Sequence, residues 1–152
     1  MKLATLCYLK QNNQTLMIHR VKKENDIHIG KWNGLGGKLE QGESPEQCII
    51  REVKEESGLQ IYSPKYHGLL IFADFKFDDW YVWVFTAENF SGELLKDSTE
   101  GNLYWINDLE VEKLNLWPSD RIFFPWLKGD KIFSARFQYA GEALLGHDVV
   151  FY

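Results

Sequence analysis

The sequence predicts one domain of mixed α and β structure, an α+β or α/β sandwich in which strands predominate and helices interrupt them. Three observations predict it. Several segments alternate apolar and polar residues with a period of two. One helix, following Ser44, carries a full set of start and stop signals. The length of 152 residues suits a single domain with little left over. No repeat, linker or biased segment divides the chain, so residues 1–152 are read as one unit.

Taken in order, residues 2–10 and 14–21 read as strands, with Gln11, Asn12 and Asn13 making a hairpin turn between them. The run Leu3 to Leu9 is short, contains Thr5 and leads into polar residues rather than a small-residue cleavage site. It is a strand and not a signal peptide. In the helix, Ser44 serves as N-cap, Pro45 suits the first helical position and Gln47 completes a capping box. Ile49, Ile50 and Val53 supply its apolar stripe, and Gly58 ends it. In segment 68–77, Ile71, Ala73, Phe75 and Phe77 alternate with Phe72, Asp74 and Lys76. Segment 80–87 is apolar on both faces, as in a strand inside a sheet covered on both sides. A second helix is predicted around 119–127, its length limited by Pro125. Residues 131–139 alternate cleanly, with Phe133, Ala135, Phe137 and Tyr139 inward and Ser134, Arg136 and Gln138 outward. A last strand runs near 145–151.

Composition narrows the possible partners. Apolar residues make up 45% and charged residues 26%, which excludes collagen-like, low-complexity and wholly disordered chains. Asp and Glu number 22 against 17 Lys and Arg, and no dense basic run offsets the net charge of −5. Such a surface repels a long phosphate backbone, so polymeric nucleic acid is a poor partner. A small anionic ligand held through a metal remains open. Cys7 and Cys48 fit no disulfide framework or zinc spacing and read as buried thiols. No apolar run is long enough to span a bilayer, and the expectation is a cytoplasmic protein.

The chemistry concentrates in the helix. Glu52, Glu55 and Glu56 stand at i, i+3 and i+4 and so share a face. Like charges at that spacing repel, and a hard divalent cation such as Mg²⁺ or Mn²⁺ would neutralise them while bridging to substrate phosphates. A solvated acidic face, aided by Arg51 and Lys54, is the competing account of the triplet alone. No Ser-His-Asp or Cys-His arrangement offers another chemistry. His19, His28, His67 and His147 show no ligand spacing and read as ordinary surface or core.

The wider pattern separates these accounts. Gly37, Glu43, Arg51-Glu52-Val53, Glu55-Glu56 and Gly58-Leu59 match every fixed position of the Nudix box. The chain resembles the Nudix hydrolases, and the resemblance implies an α/β/α sandwich with a mixed sheet. It also implies metal-dependent hydrolysis of a nucleoside diphosphate linked to another group. By that match Glu52, Glu55 and Glu56 would hold the divalent ions, with the Gly36 carbonyl as a further ligand. Arg51 and Glu43 would pair to brace the loop against the helix. Either Glu52 or Glu56 would activate the water.

Outside the box, Trp32-Asn33-Gly34-Leu35-Gly36-Gly37-Lys38 and Trp117-Pro118-Ser119-Asp120 resemble the MutT-homologue branch acting on oxidised purine nucleoside triphosphates. Carried over, Asn33 would bond the base edge, Trp117 would stack on the purine and Asp120 would read its polar edge. Glu100 matches an acidic residue near the metal, and Lys23 a basic residue near the nucleotide. Plainer accounts exist for each: Trp32 and Trp117 as core aromatics, Asn33-Gly34 as a turn, Glu100 as a solvated acid and Asp120 as a helix cap. The branch carries paired aspartates after Trp-Pro, where this chain has Ser119 and Asp120. The resemblance implies hydrolysis of 8-oxo-dGTP or a related triphosphate to monophosphate and pyrophosphate, sanitising the nucleotide pool. The competing functions are a Nudix enzyme for an unmodified triphosphate, dinucleotide or nucleotide sugar, and a Nudix-fold binding module without catalysis.

Overall fold

The computed structural model describes residues 1–96 and 98–152. The chain opens with strands β1 (Lys2–Gln11) and β2 (Gln14–His19), followed by the short β3 (Trp32–Asn33) and helix α1 (Pro45–Ser57). Strands β4 (Gln60–Tyr62), β5 (Lys65–Phe75), β6 (Asp78–Ala87), β7 (Asn89–Ser91) and β8 (Asn102–Asn107) come next. Helices α2 (Asp108–Val111) and α3 (Pro118–Phe123), a 3₁₀ segment (Phe124–Lys128), and strands β9 (Phe133–Gly141) and β10 (Ala143–Phe151) complete it. The main sheet runs β10-β9-β5-β6-β1-β2-β3, with β8 also on β2, while β4 and β7 form a separate pair. It is mixed: β1 with β6 and β5 with β9 are parallel, and the other ladders are antiparallel.

Alternation through the central strands builds two cores, one on each side of the sheet. Along β1, Ala4, Leu6 and Tyr8 face one core and Cys7 and Leu9 the other. Along β6, Val82 and Val84 join the first while Trp83, Phe85 and Ala87 join the second. The first core is closed by Phe123, Phe124 and Leu127 from α3 and the 3₁₀ segment, the second by Ile49 and Val53 of α1. The sheet therefore lies between two helical layers, as the resemblance implies. Phe133, Ala135, Phe137 and Tyr139 are all buried, matching the inward set read from the sequence.

Helix α1 starts as predicted. The Gln47 amide donates to Ser44 Oγ at 3.1 Å and the Ser44 amide donates to Gln47 Oε1 at 2.9 Å. Gly58 closes it at φ 80°, a left-handed conformation that a Cβ would penalise. The first turn has only two residues, Asn12 and Asn13, both at positive φ, which suits a tight hairpin whose twist follows the strands.

Three expectations are corrected. The second strand stops at His19, because Arg20 turns to pair its backbone with Gly30 and Lys31. The period of two fails near the end of β5. A register shift between Phe72 and Phe75, with Asp74 at φ 56°, brings Phe72 and Phe75 onto the same core, while Phe77 stands at the hairpin tip, 99% exposed. The predicted helix over 119–127 divides after Phe123, because Pro125 cannot donate within an α-helix and lies instead in the first turn of the 3₁₀ segment. The short strands β3, β4, β7 and β8 escape the sequence reading. Among the described residues no helix is long and apolar enough to cross a membrane.

Candidate active site

A cleft of about 760 Å³ opens beside the sheet, between the β1 face, the loop 20–28 and the start of α3. It brings together Lys23, Asn33, Gly36, Glu52, Glu100, Trp117 and Asp120, which lie up to 97 residues apart (Lys23 to Asp120) in the sequence. Of the remaining predicted residues, Glu56 stands directly behind the Gly36 wall, and Glu43, Arg51 and Glu55 lie along the outer side of α1.

The acidic end is set by the backbone running from Asn33 to Lys38. This segment lies against β1 through hydrogen bonds between Cys7 and Leu35 and from the Thr5 amide to the Gly37 carbonyl. Two glycines permit that approach. A Cβ at Gly36 would collide with the Thr5 carbonyl, and one at Gly37 would lie 2.5 Å from the Glu52 carboxyl carbon. The chain so placed points the Gly36 amide at Glu56, which accepts at 3.0 Å.

Glu56 is 7% exposed. Burial pushes its carboxyl well above the ordinary range, and the neighbouring Glu100 and Glu52 push it further. Glu52 is likewise raised, first by burial and then by Glu55 and Glu100, against the pull of Arg51. Arg51 holds this ensemble. It donates to both Glu43 oxygens at 2.7 and 2.9 Å and to Glu52 at 2.8 Å, with exposed Glu55 at 3.4 Å. Hydrogen bonding from Arg51 brings Glu43 down to about 2. Glu100 lies 3.4 Å from Arg20 and 3.7 Å from Lys23, and Arg20 is itself paired to Asp26 at 2.7 Å.

Among the described residues, no three His, Cys, Asp or Glu side chains stand close enough to grip an ion as they are. Glu52 is drawn toward Arg51, and Glu55 faces solvent. The donor set nonetheless fits a hard cation. It consists of carboxylate oxygens, and Glu56 is a buried carboxyl destabilised as an anion by two like-charged neighbours. An added divalent charge would relieve that repulsion.

The other end of the cleft is aromatic and amphipathic. Trp117 is 6% exposed and packs edge to face with Phe75 at 4.8 Å. Lys31 and Lys76 sit over its ring at 4.5 and 5.3 Å. Its indole nitrogen donates to His28 Nδ1 at 2.8 Å. Asp120 is buried beside it, and that burial lifts its carboxyl to about 7, opposed by a bond from the Trp117 amide. Asp120 does not cap α3, whose N-cap is Trp117. Next to it, Ser119 is fully engaged: Tyr139 donates to its hydroxyl at 2.7 Å and accepts from its amide at 3.2 Å.

Several cleft residues left little trace in the sequence. His28 had no ligand spacing, and Arg20, Asp26 and Lys76 sit among other charged residues that give no sign of which ones face the cleft. Lys76 donates to the Ile27 carbonyl at 2.7 Å, tying the β5–β6 hairpin to the loop that forms the cleft wall. Trp32, by contrast, stays outside the cleft, stacked on His19 at 4.4 Å.

Comparison with known proteins finds relatives over nearly the whole chain. The chain is 32% identical over 98% of its length to an oxidized purine nucleoside triphosphate hydrolase of Danio rerio, covering 90% of that protein. It is 29% identical over 91% of its length to the uncharacterized Nudix hydrolase YvcI of Bacillus subtilis, covering 87% of it. The crystal structure of a MutT protein from Bacillus halodurans superposes with a TM-score of 0.88 at 28% identity, covering 98% of this chain and 97% of that one. The NUDIX domain model matches residues 1–127, and the chain belongs to the Nudix hydrolase family.

Proposed function

We propose that this Nudix hydrolase cleaves a purine nucleoside triphosphate, preferentially an oxidised one such as 8-oxo-dGTP, to monophosphate and pyrophosphate. The observation that carries the reading is the single cleft joining Asn33, Trp117 and Asp120 at one end to Glu52 and Glu100 at the other. An amide, an indole and a carboxyl suit the polar edge and flat face of a purine, and the distant carboxylates suit its phosphates once charge is balanced.

Nudix hydrolases generally use divalent metal ions. Here Glu52, Glu55, Glu56 and Glu100, with the Gly36 carbonyl, would hold Mg²⁺ or Mn²⁺, which offsets phosphate charge and lowers the pKa of the attacking water. Glu52 or Glu56 would then accept the water proton. Burial and the neighbouring Glu100 and Glu52 raise the Glu56 carboxyl, so it takes up a proton more readily than an exposed glutamate does. Arg51 and Glu43 act by holding the loop before α1 against the helix. Lys23 would meet phosphate, and Asn33, Trp117 and Asp120 would select the base. A role in clearing oxidised nucleotides from the cytoplasmic pool follows from this substrate.

The test is Mg²⁺-dependent turnover of 8-oxo-dGTP against dGTP, with pyrophosphate scored separately from phosphate. Preference for the oxidised base with pyrophosphate release supports the reading. Slow, unselective turnover moves the substrate elsewhere within the family. Glu56→Gln should lower kcat by roughly 100-fold or more while nucleotide binding persists, since Gln keeps an oxygen for the Gly36 amide. Unchanged turnover in that variant removes Glu56 from the chemistry.

A further inference from the structure

His28 occupies a position in the cleft wall that nothing in the proposed chemistry uses. It lies on the loop between β2 and β3, fixed by its own amide donating to Asp26 at 2.9 Å. Its ring stacks near Phe75 at 6.2 Å and meets Trp117 nearly edge-on. The bond from Trp117 settles its chemistry. An indole nitrogen can only donate, so His28 Nδ1 must accept with its lone pair. The ring is neutral at working pH, because burial, reinforced by Arg20 and Lys76 against Asp26, brings it down to about 4. A neutral imidazole with Nδ1 accepting carries its proton on Nε2. Among the described residues nothing bonds Nε2, and no buried side-chain nitrogen is left unpaired, so Nε2 is open to the cleft that His28 lines.

We infer that His28 is a specificity-determining residue, fixing the Trp117 indole through Nδ1 and donating its Nε2–H to an acceptor atom on the purine. The inference rests on the reading that the Trp117 end of the cleft holds the base. Its neighbours there complement one another. Asp120 accepts when ionised, Asn33 both donates and accepts, and His28 adds a donor of fixed direction. A base presenting a carbonyl oxygen or ring nitrogen toward His28 is favoured over one presenting an amino group, because two donors facing each other leave both unpaired.

The test uses the full chain with Mg²⁺ and compares KM and kcat for 8-oxo-dGTP and for dTTP, whose smaller ring reaches less far toward Trp117. His28→Asn retains an oxygen near the Nδ1 position for Trp117 but loses the distal donor. KM for 8-oxo-dGTP should rise about five- to tenfold with kcat within about twofold, and the dTTP constants should not move. His28→Phe, which also strands the indole N–H, should weaken the purine further. Nitrogen-15 spectra of the unsubstituted protein provide a check independent of folding in the variants. They should show the His28 proton on Nε2, and that resonance should shift on adding 8-oxo-dGMP. An unaltered purine KM in His28→Asn, parallel changes in both substrates, or a proton on Nδ1 overturns the inference. If the unsubstituted enzyme does not separate 8-oxo-dGTP from dTTP, the base-site reading fails and His28 falls with it. If the enzyme separates them and His28→Asn does so equally well, only the assignment of His28 falls.

Discussion

Asp120 and Ser119 are adjacent, both buried, and chemically unlike. Burial raises Asp120 to about 7 from an ordinary value of 3.8. Between those limits the unfolded chain releases a proton that the folded chain keeps, so this group's contribution falls as pH rises from about 4 to about 7, then levels off. Asp120→Asn removes the slope. Relative to the unsubstituted protein, its stability should climb across that window, by up to about 4 kcal/mol at pH 8. Parallel stability profiles from pH 4 to 8 for the two proteins would show that Asp120 titrates normally. Ser119 stands where the related branch has a second aspartate, and its hydroxyl is taken up by Tyr139. One carboxyl offers fewer proton arrangements than two, so 8-oxoguanine should be recognised better than oxidised adenine. Ser119→Asp should raise turnover of 2-oxo-dATP relative to 8-oxo-dGTP, and an unchanged ratio would sink this explanation. These two residues stood out in the sequence as a motif. Their burial and Tyr139's hold on Ser119 did not, because both depend on β9 arriving beside α3.

At the scale of the element, α1 was the most legible part of the molecule. Its cap, its stripe and its terminal glycine are local signals, readable without knowing what the helix packs against. Ser44→Ala deletes one bond of the capping box and should cost about 1 kcal/mol, seen as a lower denaturation midpoint with an unchanged slope. Gly37→Ala acts differently. Its Cβ would displace the Glu52 carboxylate, so activity should fall at least tenfold while the midpoint moves little. Equal losses of stability and activity would place the strain in the backbone instead. Of the strands missed in the sequence, β3, β4 and β7 have two or three residues each, too few to display a period, whereas β8 has six and was missed despite its length. The bulge in β5 also reversed the alternation that the preceding residues established.

Across the whole molecule, a sheet covered on both sides was legible in the apolar run of β6, while its mixed strand directions and two helical layers were implied by the family resemblance. The first core depends on ring packing that crosses the sheet-to-helix boundary. Phe137 meets Phe72, Phe123, Trp126 and His147, and is fully buried. Phe137→Ala should destabilise the fold by about 3–5 kcal/mol, comparable to the whole margin of a small domain, and much of the protein should be recovered unfolded. A melting temperature unchanged within error would mean the core repacks around the gap. The cleft itself could not be foreseen as a space. Its walls come from β1, the loop after β2, the loop before β8 and the start of α3, joined only by the topology.

The extended segment from Asn33 to Gly36 touches both ends of that cleft. It is pinned along β1 by the paired bonds of Leu35 with Cys7 and by the Gly37 carbonyl. With each extended residue advancing the chain by about 3.3 Å, this stretch would, on the proposed function, set the distance between the base and the bond to be broken. Inserting a single residue within it would leave the nucleotide room to enter, yet bring a different phosphorus opposite the carboxylates. On the proposed assignment of the two ends, the anhydride that is cut would then be set by residues of backbone.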